Sequence, residues 1–290
     1  SFPSSELRVR VPLPALFFAG VAMSDWFLIY EPEPLPGSWN MAVDEYLYQQ
    51  AQKKQATYIR FYTWLRPTAS LGCSQEVSRV INLKECRRRG VDVVRRMTGG
   101  KMVLHHLEVT YSVSSGETDV FTSTLEGSYR LISEALMKGL ELMGLEPSLA
   151  SSTSSAYARS NLPCFAYPAR NEIEIRGKKI IGSAQKRSGS DFIQHGSIPL
   201  VTELDLLMAI SFGLPPGRQD SLTSISDELE RAVSYQEAAD YFVQGFKSYF
   251  SLEFKPLVLT PSDLEQIKKI EAIKYKHPDW TLRKLAPISI

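Results

Sequence analysis

Residues 172–200 constrain the fold most. Three alternating runs there, Glu172–Arg176, Lys178–Arg187 and Asp191–Leu200, are separated only by Arg176–Gly177 and Ser188–Gly189–Ser190. Glycine-bearing connections this short join antiparallel neighbours, because a parallel crossover needs about a dozen residues or more. The rest of the chain surrounds these hairpins with an irregular mixture. Strands are expected at Trp26–Tyr30, Tyr58–Trp64, Val91–Arg95, Leu104–Val113 and Leu252–Leu259. Asn40 is placed to cap a helix reaching about Lys54, and Asn82 opens a short helix that Gly90 ends. Ser123 with Glu126 reads as a capping box for a helix ending near Gly144. Further helices are expected at Glu203–Ile210, at Ser234–Phe250 and after Thr260–Pro261. Hairpins without a βαβ rhythm predict the α+β class.

The chain's 290 residues carry 33 Lys plus Arg against 32 Asp plus Glu, and 43% are hydrophobic. That is the balance of an ordinary soluble globule, and it argues against a protein that coats nucleic acid through bulk charge. Arg8 and Arg10 precede the apolar run Val11–Ala22, which is interrupted by Pro12 and Pro14 and is too short to span a bilayer. Residues 1–22 are therefore expected to form a disordered extension, with a signal peptide as the alternative. Residues 23–250 are expected to hold the catalytic domain, and 251–290 a short strand–helix tail. The three cysteines, Cys73, Cys86 and Cys164, form no CxxC pair, which points to a reducing, cytoplasmic setting. The four histidines form no HExxH or Cys/His cluster, so no metal site is expected.

Three segments hold the candidate chemistry. In Arg95–Arg96–Met97–Thr98–Gly99–Gly100–Lys101–Met102–Val103–Leu104–His105, two glycines let the backbone approach a ligand. It is not a nucleotide P-loop, since the preceding glycine and the following Ser/Thr are missing; a tight inter-strand turn is the alternative reading. In Lys178–Lys179–Ile180–Ile181–Gly182–Ser183–Ala184–Gln185, a run of small residues within a strand marks close packing against the backbone. Strand alternation sends either Lys178 or Lys179 inward, unless both are solvated edge charges. Cys164 follows the serine-rich stretch Ser148–Pro163, and a neighbouring cation would favour its thiolate. Cys73, in a strand, and Cys86, in a helix, read as packing residues.

Together with Asn40–Met41–Ala42–Val43–Asp44–Glu45 and His195–Gly196–Ser197, these segments resemble the lipoate-protein ligase and octanoyltransferase family, in order, from about Met23 to Tyr249. The resemblance implies a biotin/lipoate-ligase-like fold: a mixed β-sheet with helices packed against it and a small second sheet. It implies Cys164 and Lys179 as catalytic residues. It also implies an acyl site formed by Arg95, Arg96, Thr98, Gly99, Gly100, Val103, His105, Gly182, Ser183, Ala184, His195 and Gly196. Cys164–Phe165, Gln185 and Gln194–His195–Gly196–Ser197–Ile198 are closest to the single-domain, cysteine-dependent octanoyltransferases. Those enzymes take an octanoyl group from acyl carrier protein and pass it to a lysine of a lipoyl domain without a cofactor. The implied acceptors are the glycine cleavage H protein and dihydrolipoyl acyltransferase subunits, and the enzyme is expected to be a monomer.

Three other readings stay open at this stage, one of them a non-catalytic acyl-binding or carrier-binding module. An ATP- and magnesium-dependent ligase is favoured by Arg170–Asn171–Glu172, which resembles the ligases' Arg–Asn–Asp, and disfavoured by Lys101, where ligases carry a third glycine. An amidotransferase moving octanoyl between lipoyl domains would be chemically the same enzyme with another donor. His106 departs from the family pattern, where an acidic residue commonly follows the histidine. From Lys84 to Lys101, seven basic residues (84, 87, 88, 89, 95, 96, 101) face two acidic ones (85, 92). That local excess is placed to steer acidic carrier proteins, or else is a solvated helix face.

Overall fold

The computed structural model describes residues 25–121, 123–150, 172–212 and 221–283. The extension 1–22, most of the serine-rich stretch, Cys164, Phe165, Arg170 and Asn171 lie outside them. The described residues form two sheets and the helices packed against them, the α+β mixture expected. The large sheet is ordered β11-β1-β2-β6-β10-β9-β8-β7, and the small one β4-β3-β5. In chain order the strands are β1 Trp26–Tyr30, β2 Thr57–Tyr62, β3 Thr68–Leu71, β4 Asp92–Arg95, β5 Val103–His105, β6 Glu108–Ser115, β7 Ser148–Leu149, β8 Ile173–Ile175, β9 Lys178–Ser188, β10 Asp191–Pro199 and β11 Lys255–Pro256. The predicted hairpins appear as β8, β9 and β10, antiparallel, with Gly177 and Gly189 at positive φ in the turns.

Helices cover both faces of the large sheet. On β2, Ile59 and Phe61 point to one side, where they meet α4 (Leu125–Leu142) and α7 (Tyr235–Phe250) through Ile132, Leu136, Phe242 and Phe246. The alternate residues Tyr58 and Tyr62 point to the other side, against α1 (Gly37–Lys54) and α8 (Pro261–Ile270). This is the period-2 alternation of a strand buried on both faces. Smaller helices complete the chain: α2 Val77–Val80, α3 Leu83–Arg89, α5 Leu204–Ile210, α6 Ile225–Leu229 and α9 Pro278–Arg283, with a π turn at Glu271–Tyr275. Among the described residues no helix is long and apolar enough to cross a membrane, and no cluster of His, Cys, Asp or Glu is suited to a metal.

Several local expectations shift. Asn40 does not cap α1, which starts earlier, at Gly37. Its amide instead donates to the Thr63 carbonyl at 3.0 Å and its carbonyl oxygen accepts from Arg60 at 2.8 Å, tertiary bonds that outcompete the local one. Thr124, not Ser123, caps α4 by accepting from the Gly127 N–H. The predicted Leu104–Val113 strand is two strands in different sheets, broken at His106–Leu107. Only Lys255–Pro256 of Leu252–Leu259 pairs with β1, with the Leu257 N–H donating the last bond to the Leu28 carbonyl at 2.9 Å. Cys86 is buried in α3 as expected; Cys73 lies in the turn after β3 and is half-buried.

The helices α4 and α7 approach closely where two glycines face each other. A Cβ at Gly245 would lie 2.5 Å from the Gly139 nitrogen and 2.8 Å from the Ala135 carbonyl, both backbone atoms that cannot turn aside. Gly245→Ala should therefore destabilise the fold by about 2 kcal/mol, overpacking outweighing the gain in helix propensity. A lower urea midpoint at unchanged m-value checks this; an unchanged midpoint would show that the helices separate freely.

Candidate active site

The polar residues of the site occupy alternate positions on the central strands, all facing α1. His195 pairs in register with Ser112 on β6 and Ala184 on β9, and Ser197 with Thr110 and Gly182. Arg60 of β2 pairs with Ser112. Asp44 of α1 reaches down onto this face. Its carboxylate accepts from Arg60 at 3.0 Å, Tyr62 at 3.0 Å, Ser112 at 2.9 Å and His195 Nδ1 at 3.0 Å. Burial by itself would raise the Asp44 pKa, but the His195 hydrogen bond and the Arg60 charge outweigh it and hold the carboxyl below its ordinary range. Burial, with the nearby Arg96 charge, lowers the pKa of His195 despite its bond to Asp44, so the ring is neutral.

The Arg95–His105 loop closes the cleft from the small sheet. Gly100 adopts φ +86°, and a Cβ at Gly72 would lie 2.0 Å from the Gly100 carbonyl oxygen, so the turn rests directly on the end of β3. Arg96 is buried inside the loop. It donates from Nε to Thr98 Oγ1 at 3.1 Å, from one terminal nitrogen to the Ser70 carbonyl and hydroxyl, and from the other to the Gly99 and Lys101 carbonyls. Thr98 Oγ1 lies 2.6 Å from His195 Nε2, and Ser70 Oγ 2.7 Å from His105 Nε2. His105 Nδ1 is 2.7 Å from Glu108, whose carboxylate also accepts from Thr110 and Ser197. Trp64 stacks on His105 with ring centroids 4.2 Å apart.

These groups surround a cleft of about 340 Å³. Of the sequence candidates, Arg96, Val103, His105, Gly182, Ser183, Ala184, His195 and Gly196 line it, with Met41, Tyr62 and Trp64 adding apolar wall. Gly196 is required by packing: a Cβ there would lie 2.6 Å from the Tyr111 ring and 2.7 Å from the Gly182 carbonyl. Thr98, Gly99 and Gly100 stand behind the wall, holding or held by Arg96. Sequence reasoning did not single out Ser70, Glu108, Thr110 or Trp64. Asp44 stood within a quoted motif without a role.

Other candidates lie elsewhere. Arg95 points away from the cleft and donates to the carbonyls of Gly72, Gln75, Trp280 and Thr281. Lys179 is the inward lysine of its pair. It is buried with its Nζ 2.5 Å from Glu172 and does not line the cleft. Cys164 lies outside the described residues. His106 is bonded through Nδ1 to Glu203 at 2.6 Å, outside the cleft. The basic stretch 84–101 does not present its formal charge, since Arg95 and Arg96 are buried and Glu85 pairs with both Arg88 and Arg89.

Fold and cleft together are those of an α+β acyl-ligase and acyltransferase domain. The chain belongs to the lipoyl protein ligase A/B catalytic-domain family, whose model matches residues 36–247. It is 34% identical to the octanoyltransferase LipM of Brevibacillus brevis, over 90% of this chain and all of that protein. It is also 34% identical to the LipM octanoyltransferase of Carboxydothermus hydrogenoformans, over 85% of this chain and 95% of that one. A lipoate-protein ligase A bound with ATP superposes with a TM-score of 0.75 at 22% identity, over 90% of this chain and 99% of its own. The bi-partite lipoate protein ligase of Thermoplasma acidophilum gives a TM-score of 0.73 at 22% identity, over 92% of this chain and all of its own. At that identity the two structures speak for the fold.

The His195–Asp44 pair sets an acid limit on stability. An unfolded His195 takes up a proton near its ordinary pKa of 6.5, whereas the buried ring resists protonation to lower pH. Below that value the unfolded chain binds more protons, so stability falls as pH falls, by up to about 1.4 kcal/mol per unit for this one group. Asp44, also lowered, adds loss of the same sign further into the acid range. The melting temperature should drop on acidification from pH 7.5 to 5.5, and His195→Gln should flatten that slope. Parallel slopes for both proteins would refute the assignment.

Proposed function

We propose that this protein takes an octanoyl group from the phosphopantetheine thioester of acyl carrier protein onto Cys164 and delivers it to a lysine of a lipoyl domain. Octanoyl transfer in lipoate biosynthesis is the activity of this chain, as of the LipM relatives it matches along most of its length. The donor, the cysteine relay and the particular acceptors form the proposed part. The cleft carries the reading: it is narrow, walled by Met41, Val103, Tyr62 and Trp64, and backed by the close-packed Gly182–Ala184 backbone. Burying the seven hydrocarbon groups of an octanoyl tail would contribute about 6 kcal/mol of binding, at about 0.8 kcal/mol each.

In the first half-reaction the Cys164 thiolate attacks the donor carbonyl, a C–S bond to the enzyme forms, and the carrier's thiol leaves. Thioester is exchanged for thioester, so the step is nearly balanced in energy. In the second, the neutral acceptor amine attacks, a C–N bond forms as the C–S bond breaks, and the proton lost by nitrogen goes to the departing Cys164 sulfur. Amide formation drives the sequence without a nucleotide. Lys179 would assist the thiolate, with Glu172 fixing its ammonium 2.5 Å away. The H protein and dihydrolipoyl acyltransferase subunits fit as acceptors, in keeping with the lipoyl domain named beside the Thermoplasma ligase.

Mixing the protein with octanoyl acyl carrier protein in the absence of ATP should add one octanoyl mass to the wild type and none to Cys164→Ala, as read by intact-protein mass spectrometry. Transfer to an added lipoyl domain should follow ping-pong kinetics. No adduct, together with ATP-dependent use of free octanoate or lipoate, would replace this reading with a ligase.

A further inference from the structure

The hydrogen bonds around the cleft have a direction that their chemistry dictates. A guanidinium only donates and an ionised carboxylate only accepts. From Arg96, one chain runs through Nε–H to Thr98 Oγ1, then from the Thr98 hydroxyl to His195 Nε2, and from His195 Nδ1–H to Asp44. A second runs from Arg96 to Ser70 Oγ, from the Ser70 hydroxyl to His105 Nε2, and from His105 Nδ1–H to Glu108. A third ends on the same glutamate: Trp64 Nε1–H donates to Thr110, and Thr110 donates to Glu108. Each hydroxyl receives one hydrogen bond and gives one, and the opposite tautomer of either ring would turn an unprotonated Nδ1 toward a carboxylate, setting two acceptors against each other.

We infer that Arg96, Thr98 and Ser70 are positioning residues that hold both cleft histidines with Nδ1–H directed at a carboxylate and the Nε2 lone pair capped by a hydroxyl, so that neither imidazole is available in the cleft as a base able to activate water. The consequence rests on the acyl-enzyme reading given above. An octanoyl thioester that waits for its acceptor is lost if an imidazole beside it acts as general base. In that reaction water oxygen forms a C–O bond to the carbonyl as the C–S bond breaks. The water's first proton passes to Nε2 and then to the departing sulfur, and the acid proton of the octanoate product goes to solvent. Capping both Nε2 atoms closes this route, while an acceptor lysine that has first given its ammonium proton to solvent attacks as the neutral amine and passes its second proton to the departing sulfur. The lowered pKa of His195 agrees with a ring that stays neutral.

Long-range nitrogen–proton NMR on the full chain labelled at histidine, at pH 7.5 and without substrate, reads the tautomers directly. Both rings should show a protonated Nδ1 and an unprotonated Nε2; a charged His195 or an Nε2–H tautomer would overturn the inference. Thr98→Val, which removes the hydroxyl at nearly constant shape, should put His195 into tautomer exchange and leave His105 unchanged. In the octanoylated protein it should raise octanoate release, relative to transfer, on the order of tenfold or more. Thr98→Ser should restore the wild-type ratio, which a merely structural loss would not predict. Equal release by wild type and Thr98→Val would also overturn the inference. If no acyl-enzyme forms in the wild type, the cysteine relay fails on its own, and the NMR result still decides the tautomers.

Discussion

The buried Asp44 carboxylate is the joint on which the site depends. It sits on α1 and accepts from side chains of three separate strands, Arg60 and Tyr62 of β2, Ser112 of β6 and His195 of β10. A carboxylate taken out of water at this depth is tolerable only when its lone pairs are filled, and removing a partner from such a cluster costs about 3–5 kcal/mol. Helix and sheet are therefore held at one spacing and one register. The same bonds fix the plane of the His195 ring, and with it the position of Thr98 and the Gly99–Gly100 turn. Geometry at the cleft is inherited from an interaction buried beneath it.

How much of this was legible in the sequence depends on the range of the forces involved. The antiparallel strands β8 to β10 and the helices α3 and α7 were readable because turn glycines and caps act over a few residues. The caps at Asn82 and Ser234 are where the pattern placed them. Asn40 misled because its amide satisfies the Thr63 carbonyl, far away along the chain. The Gly–Gly loop and the small-residue strand were visible as places where backbone must come close. Ser70, Glu108 and Thr110 were not, since a polar residue inside a strand usually marks the solvated face. Here both faces of β6 are buried, and its alternate polar residues, Thr110 and Ser112, are the wall beneath the cleft. Alternation identified two faces but could not say that the polar one was covered.

The paired arginines at 95 and 96 show how adjacent residues of one motif divide their labour. Alternation at the end of β4 sends them in opposite directions. Arg96 goes into the cleft loop. Arg95 turns outward to gather the carbonyls of Gly72 and Gln75, just past β3, with those of Trp280 and Thr281 in α9. Trp280 answers by donating its indole N–H to the Arg95 carbonyl at 2.8 Å. The turn that supports Gly100 is thus clamped from behind by residues some 185 positions later in the chain. The strand–helix stretch after 250 packs on α1 through Ile267 and Tyr275 and, through Arg95, braces the loop that carries Arg96. A pair of arginines that looks in sequence like surface charge, or like two anion ligands, is instead one strut and one hub. Neither is available to steer a partner by long-range charge, and within this stretch the exposed cations are Lys84 and Arg87–Arg89, two of which already share Glu85.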